Sequence, residues 1–363
     1  MKLKTMRPHF TKRHNRFTWE GYHLDYNGLV DLGYFFIKEG GENERSIGEF
    51  LLNWLDERDF VYTKTSGSTG KPKQIKLSKQ AMVNSALATG DALGLMPGQT
   101  CLLCLPASRI AGKMMLVRAM ILGLELHYVQ PSRSPLRLVN RACDFCAMTP
   151  MQLKNSLNKI NLIGKTLVGG GAVDSNLKSR IISGETEVFE TFGMTETLSH
   201  IALKALHYTS SQDMGFRPLE NIELDTDESR CLLVKAPNLF DGTLITKDIV
   251  DMHSDGTFTW LGRADNVVNS GGVKLFPEVI EAQLSSSIAQ PLMIGSEPHE
   301  ELGEKLILIV EGAEQALSPN LFDTLDQYAR PKSVYFIDAF AYTANGKLDR
   351  KATVSRITRD LKN

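Results

Sequence analysis

Apolar and polar residues follow two rhythms along this chain, and the change of rhythm divides it. Phe50, Leu51, Trp54 and Leu55 recur at helical spacing, which predicts a helix over 46–58 with Ser46 as its cap. A short apolar run at 60–62 reads as a strand. Ser78 can then open a helix running to Leu93. Downstream, strands at 101–105, 124–129, 144–148, 166–168 and 187–190 alternate with helices at 113–122, 150–157 and 176–182. Alternation of this kind predicts an α/β fold, a mostly parallel sheet covered by helices.

From about Ile222 the texture changes. Short alternating segments at 231–235, 243–246 and 257–261 are separated by Asp, Gly and Pro, which predicts a small β-rich subdomain. The last hundred residues mix helix and strand: helix 278–285, strand 305–310, helix 320–328 and strand 333–337. A chain of 363 residues exceeds one ordinary domain, so a large domain and a smaller α+β domain are expected.

Charge removes two classes of partner. Lys+Arg and Asp+Glu nearly cancel at a formal −1, which leaves no basic field for nucleic acid or an anionic membrane. The N-terminal MKLKTMRPHF lacks the apolar stretch of a secretory signal. The most apolar run, 114–129, is interrupted by Arg118, Glu125 and His127, so no membrane span is expected. A soluble cytoplasmic protein is the expectation, and the sequence carries no signal of its oligomeric state. Cys101 with Cys104, and Cys143 with Cys146, have CxxC spacing, which in other settings points to zinc. Here both pairs lie in strand patterns, where residues three apart point to opposite faces, so buried free thiols are expected.

The densest chemistry is the run Thr65, Ser66, Gly67, Ser68, Thr69, Gly70, Lys71, Pro72, Lys73. Glycines let backbone amides approach an anion, hydroxyls donate to phosphate oxygens, and Lys71 adds a mobile charge. Pro72 stands where a GxxxxGK[ST] loop carries its magnesium-binding hydroxyl, so this is a phosphate loop of another kind. A strand before it and a helix after it are expected. Further on, Phe192, Gly193, Met194, Thr195 and Glu196 offer an aromatic face, a close-approach glycine, a hydroxyl and a carboxylate within five residues.

Together these runs resemble the acyl-adenylate-forming superfamily of acyl-CoA ligases, adenylation domains and luciferases. The resemblance covers about 60–350 and implies ATP, Mg2+ and coenzyme A as co-substrates and a small carboxylic acid as substrate. It implies that residues 65–71 hold the ATP phosphates and that Phe192, in place of the family's tyrosine, stacks on adenine. Thr195 would contact the α-phosphate and Glu196 would bind Mg2+. Gly170, Gly171 and Ala172 match the glycine-rich segment beside adenine and ribose. Asp248 matches a ribose-binding aspartate and Arg263 an arginine contacting ribose and phosphate; by itself Asp248 also reads as a turn residue. Lys347, in Asn345-Gly346-Lys347, matches the catalytic lysine, although alone it would be an ordinary turn lysine. A lysine there would stabilise the anionic transition state of carboxylate attack on the α-phosphorus.

The resemblance also implies a boundary. Residues 1–264 would form the nucleotide- and acid-binding domain, and 265–363 a small mobile domain pivoting at Asp265 and carrying Lys347. Gly271, Gly272 and Lys274 resemble the loop that lines the CoA side, and Pro277-Glu278-Val279-Ile280-Glu281 departs from the family's PxEIE by one displaced carboxylate. Only 64 residues precede the phosphate loop, which implies a reduced first subdomain and a compact acid. Arg109 lies in a segment similar to the family's acyl-pocket motif, where a cation would suit a second carboxylate; it also reads as a salt bridge within the domain. Ser199 and His200 are further acid-side candidates, with His200 also readable as a satisfied structural histidine. Within the superfamily the chain resembles the short o-succinylbenzoate–CoA ligases of menaquinone synthesis. A ligase for another small aryl or short-chain acid, an adenylation enzyme serving a carrier protein and a non-enzymatic nucleotide-binding regulator are the alternatives.

Overall fold

The computed structural model describes residues 7–64, 74–181, 185–207, 215–342 and 348–360. An eight-stranded sheet forms its centre, in the order Thr18–Trp19, Glu125–Tyr128, Thr100–Leu103, Cys143–Met148, Ile163–Val168, Glu187–Gly193, His200–Ala205, Arg217–Pro218. Neighbours pair parallel as far as Glu187–Gly193, and the last two strands run antiparallel. Parallel pairing requires crossovers, which the helices Ile110–Leu122, Pro150–Lys154 and Ser175–Ile181 supply. This is the helix-covered, mostly parallel sheet expected from the sequence.

Helix Ile110–Leu122 is apolar apart from Lys113 and Arg118, and Met114, Met115, Leu116 and Val117 are fully buried. A helix of that composition belongs inside the protein. It packs beside Lys79–Leu93, whose cap is Ser78 as expected: Oγ accepts the Ala81 N–H at 3.3 Å. Between the phosphate-loop run and this helix lies a strand that the sequence reading lacks. Gln74–Ser78 pairs antiparallel with Phe60–Lys64, so a strand rather than a helix follows residues 65–73. The fully buried Lys79 ties the exit of this hairpin to Asp56, its Nζ lying 2.9 Å from Oδ1.

Two further corrections concern helices. The predicted 46–58 helix is Glu42–Leu55, and Ser46 does not cap it; its hydroxyl donates to the Asn43 carbonyl inside the first turns. An unpredicted helix, Tyr26–Glu39, packs against it and is capped by Asp25, whose Oδ1 accepts from Gly28 N at 2.8 Å. The predicted 320–328 helix is absent. That segment is turns ending in a single 3-10 turn, Gln327–Ala329, and Leu321 and Leu325 reach the core from them.

A four-stranded antiparallel sheet follows: Glu223–Thr226, Cys231–Lys235, Thr243–Met252 and Phe258–Arg263. It shares a hydrophobic cluster with the last long strand of the main sheet through Ile201, Ala202, Val250 and Phe258. Beyond the 3-10 turn Ala264–Asn266, a five-stranded sheet with helices Pro277–Leu284 and Arg350–Asp360 builds its own clusters around Leu308 and Ile309. All five cysteines are buried free thiols, and the Cys104 and Cys146 sulfurs on neighbouring strands lie 3.6 Å apart.

Candidate active site

Strand Glu187–Gly193 gathers the nucleotide-side candidates. At its end the buried Glu190 accepts the Val173 N–H at 2.9 Å, and Thr191 Oγ1 donates to the Val168 carbonyl at 3.1 Å. These bonds pin the Gly170, Gly171, Ala172 loop to the strand, with all three residues exposed and Gly170 at φ +86°. Phe192 comes next. Its ring packs edge-on against Phe258 at 5.0 Å, which joins it to the four-stranded sheet. On that sheet Asp248 is buried mid-strand rather than in a turn, with Arg263 opposite it in register. Asp248 Oδ1 accepts the Trp260 indole N–H at 3.0 Å, and Arg263 Nη1 reaches Oδ2 at 3.4 Å. Trp260 lies in the same cluster as Phe192, so aromatic face, glycine loop and carboxylate meet at the junction of two sheets.

After Phe192 the chain makes a tight reversal. A Cβ on Gly193 would stand 2.3 Å from the Ser199 carbonyl oxygen, so only glycine fits the crossing. Thr195 and Glu196 form a 3-10 turn with Thr197, and Glu196 is exposed. The buried Thr197 hydroxyl accepts from Met194 N at 2.9 Å and donates to Ser199 O at 2.7 Å. Leu198, buried, is held at φ +67°, a strained geometry for a branched side chain and of the kind that clusters at functional sites. Beyond it Ser199 is half-buried and His200 is buried.

There they meet a residue that the sequence reading passed over. Arg118, only 2% exposed, donates from Nη2 to Ser199 Oγ at 2.7 Å and from Nε to Thr89 Oγ1 at 3.3 Å. Its third contact is weak, Nη1 to Met115 Sδ at 3.9 Å. Among the described residues no carboxylate pairs with it, and burial alone pulls its guanidinium down to about 10. His200 bridges Ser199 Oγ (Nδ1, 3.3 Å) and Thr89 Oγ1 (Nε2, 3.2 Å); burial, and then the Arg118 charge, hold its imidazole well below the ordinary histidine range. A buried cation without a carboxylate partner among the described residues is costly. Arg109, by contrast, is exposed at the start of the helix that buries Arg118.

The family model for AMP-binding enzymes matches residues 39–231. The chain belongs to the AMP-binding enzyme family. It is 35% identical to the acyl-CoA synthetase (AMP-forming)/AMP-acid ligase II-like protein of Dyadobacter fermentans, covering 90% of this chain and 98% of that one at a TM-score of 0.60. The 2-succinylbenzoate–CoA ligase of Lactococcus lactis is 25% identical over 82% of this chain and 71% of its own length. The o-succinylbenzoate CoA synthetase of Bacillus subtilis, solved with its acyl-adenylate intermediate, shares the fold at a TM-score of 0.73 and 24% identity, over 80% of this chain and 68% of that one.

Other candidates of this AMP-binding enzyme lie further along. Asp265 is held below the usual carboxylate range by Lys247, whose Nζ sits 2.8 Å from Oδ1. Gly271 and Gly272 form the exposed turn between Val268–Ser270 and Val273–Leu275, and Lys274 is exposed on the second strand. The displaced carboxylate Glu278 bonds Asn266 of the turn beside Asp265, at 2.5 Å. Ser175 Oγ, at the start of the helix after the glycine loop, donates to Ala282 O of helix Pro277–Leu284 at 3.0 Å. Thr65, Ser66, Gly67, Ser68, Thr69, Gly70, Lys71 and Lys347 lie outside the described residues. Among the described residues no helix is long and apolar enough to cross a membrane.

Proposed function

We propose that this chain is an AMP-forming acid–CoA ligase whose acid is 2-succinylbenzoate. In the first half-reaction the succinyl carboxylate attacks the α-phosphorus of ATP, forming the acyl-adenylate and releasing pyrophosphate. In the second, the CoA thiol attacks the acyl carbonyl and AMP leaves. The observation that carries the choice of acid is Arg118: a buried guanidinium without a carboxylate partner among the described residues, bonded to Ser199, three residues beyond Glu196. The ring carboxylate of 2-succinylbenzoate would supply the missing charge while the succinyl arm reaches the nucleotide. The named ligases among the relatives support the same acid.

The remaining roles follow from chemistry and position. Phe192, backed by Phe258, is suited to adenine, and Asp248, held by Trp260, to the ribose hydroxyls. Thr195 faces the α-phosphate and residues 65–71 the β- and γ-phosphates. Glu196 is an exposed carboxylate on a turn, the kind of single ligand that Mg2+ takes together with phosphate oxygens. Bound there, Mg2+ neutralises triphosphate charge. Lys347 stabilises the crowded anion of adenylation, and residues 265–363 rotate about Asp265 so that Gly271, Gly272 and Lys274 replace it for thioester formation. Stable membrane or nucleic-acid partners have no part in this reading, and a cytoplasmic setting suits its substrates.

The test is AMP release by the purified chain with Mg-ATP, CoA and 2-succinylbenzoate. Stoichiometric AMP and CoA thioester are expected. AMP release with other small acids but not with this one would leave the ligase and remove the substrate; none with any acid would remove both. Lys347→Ala is expected to lose adenylation while still transferring a supplied acyl-adenylate to CoA.

A further inference from the structure

The Thr89 hydroxyl sets the direction of the hydrogen bonds around His200. Thr89 Oγ1 has a single proton, and it goes to the Ser85 carbonyl at 3.0 Å. Its oxygen must therefore accept from both Arg118 Nε at 3.3 Å and His200 Nε2 at 3.2 Å. His200 consequently carries its proton on Nε2. A neutral ring then has a lone pair on Nδ1, and Ser199 Oγ–H donates to it at 3.3 Å. That orientation turns the Ser199 lone pairs toward Arg118 Nη2, 2.7 Å away. One imidazole thus bonds both oxygens that hold the guanidinium plane, orienting the Ser199 hydroxyl and donating to Thr89.

Arg118 has five N–H groups. Among the described residues three are engaged, by Thr89, Ser199 and, weakly, Met115. One N–H remains on each terminal nitrogen, which is what a bidentate carboxylate takes. A guanidinium on a long side chain recognises a carboxylate well only when its plane is fixed beforehand. From this closed chain of donors and acceptors we infer that His200, as the neutral Nε2–H tautomer, is a positioning residue that aims Arg118 at the second carboxylate of the acid substrate and so sets the enzyme's preference for a diacid. An imidazolium would disturb the arrangement twice: Nδ1–H would donate to Ser199 and turn its proton away, and a second positive charge would stand beside Arg118.

This inference rests on the proposed substrate reading. Its test compares 2-succinylbenzoate with 4-oxo-4-phenylbutanoate, the same acid without the ring carboxylate. Kinetics of AMP release would be measured for the wild type, His200→Leu, His200→Asn and His200→Gln. Asn keeps an acceptor near Ser199, and Gln keeps an N–H near Thr89. His200→Leu is expected to cut kcat/KM for the diacid roughly tenfold or more, chiefly through KM. The monoacid and the KM for ATP should be unchanged, and the two amide variants should fall between. A merely structural role would move both acids and ATP together. A wild type indifferent to the ring carboxylate would overturn the substrate reading and this inference with it. A wild-type preference that survives in all three variants, or losses equal for the two acids, would overturn the inference alone.

Discussion

Asp248 and Trp260, on neighbouring antiparallel strands, are joined diagonally by a hydrogen bond, with the indole Nε1 3.0 Å from Oδ1. The bond leaves Oδ2 to Arg263 and fixes a buried carboxylate at the sheet junction where Phe192 also lies. Asp248→Ala should raise the KM for ATP strongly while the KM for the acid changes little, as separate titrations of the two substrates would read. It should also leave the Trp260 N–H unpaired, at a cost of roughly 1–3 kcal/mol in a urea melt. Trp260→Phe removes the donor and leaves the carboxylate, so it should move the KM for ATP in the same direction by less. An unchanged KM for ATP in Asp248→Ala would remove the ribose role.

Arg118 should trade stability for function. Its charge is buried without a carboxylate partner among the described residues, while Ser199 and Thr89 each keep another hydrogen bond when it is removed. Arg118→Met therefore replaces a costly ion with an apolar side chain of similar length inside an apolar helix. It should raise the melting temperature, by about 1 kcal/mol or more in stability. The same variant should lose at least roughly 30-fold in kcat/KM for 2-succinylbenzoate, on the order of 2 kcal/mol for a lost buried charge pair. Calorimetry and AMP release on one preparation would read both. A variant that is both less stable and equally active would contradict the assignment.

His200 gives stability a pH dependence of known sign. In the unfolded chain its imidazole takes up a proton near 6.5, while in the folded protein burial and then Arg118 keep it neutral to well below that value. Below about 6.5 the unfolded state binds the extra proton, so stability falls as pH falls; above 6.5 the group contributes no slope. His200→Asn cannot titrate. Its urea midpoint should fall less steeply than the wild type's on acidification below about 6.5, by up to roughly 1.4 kcal/mol per pH unit. Parallel curves for the two proteins would show that His200 is not held neutral.

The parallel sheet, the small antiparallel sheet and the order of the motifs were legible because periodicity and glycine-rich turns record them locally. Residues 320–328 misled for a physical reason. Leu321 and Leu325 have helical spacing, but burial requires only that both reach the core, and turns between Pro319 and Pro331 achieve that. Helix Tyr26–Glu39 was missed because aromatics and two glycines hide its stripe; the signal available was Asp25, three residues before Gly28. At the acid side the sequence drew attention to Arg109, next to a recognisable motif. Arg118 sits in the most apolar run of the chain and served only as an argument against a membrane span. Lys113 and Arg118 are the two charges of an otherwise apolar helix, and a cation set between Val117 and Ala119 was itself the available signal.

Arg350 supplies a last prediction, on the small C-terminal unit. Three residues after Lys347, it donates to both Glu281 oxygens, at 2.5 and 2.7 Å, and to the Ile294 carbonyl at 3.1 Å. Glu281 in turn accepts the Ile294 N–H at 2.7 Å, so one ion pair clamps the C-terminal helix, helix Pro277–Leu284 and strand Leu292–His299 together. The pair is largely buried, which makes it worth little against an apolar replacement but costly to break from one side. Arg350→Ala should cost about 3–5 kcal/mol in urea unfolding of this unit, because Glu281 is left charged and unpaired. Arg350→Met combined with Glu281→Leu should cost much less than either single change. If Lys347 acts only in adenylation, Arg350→Lys, which keeps the charge and loses the bidentate fork, should slow acyl-adenylate formation more than transfer of a supplied acyl-adenylate to CoA. Equal slowing of both half-reactions would show that the clamp supports the fold of the unit without aiming its lysine.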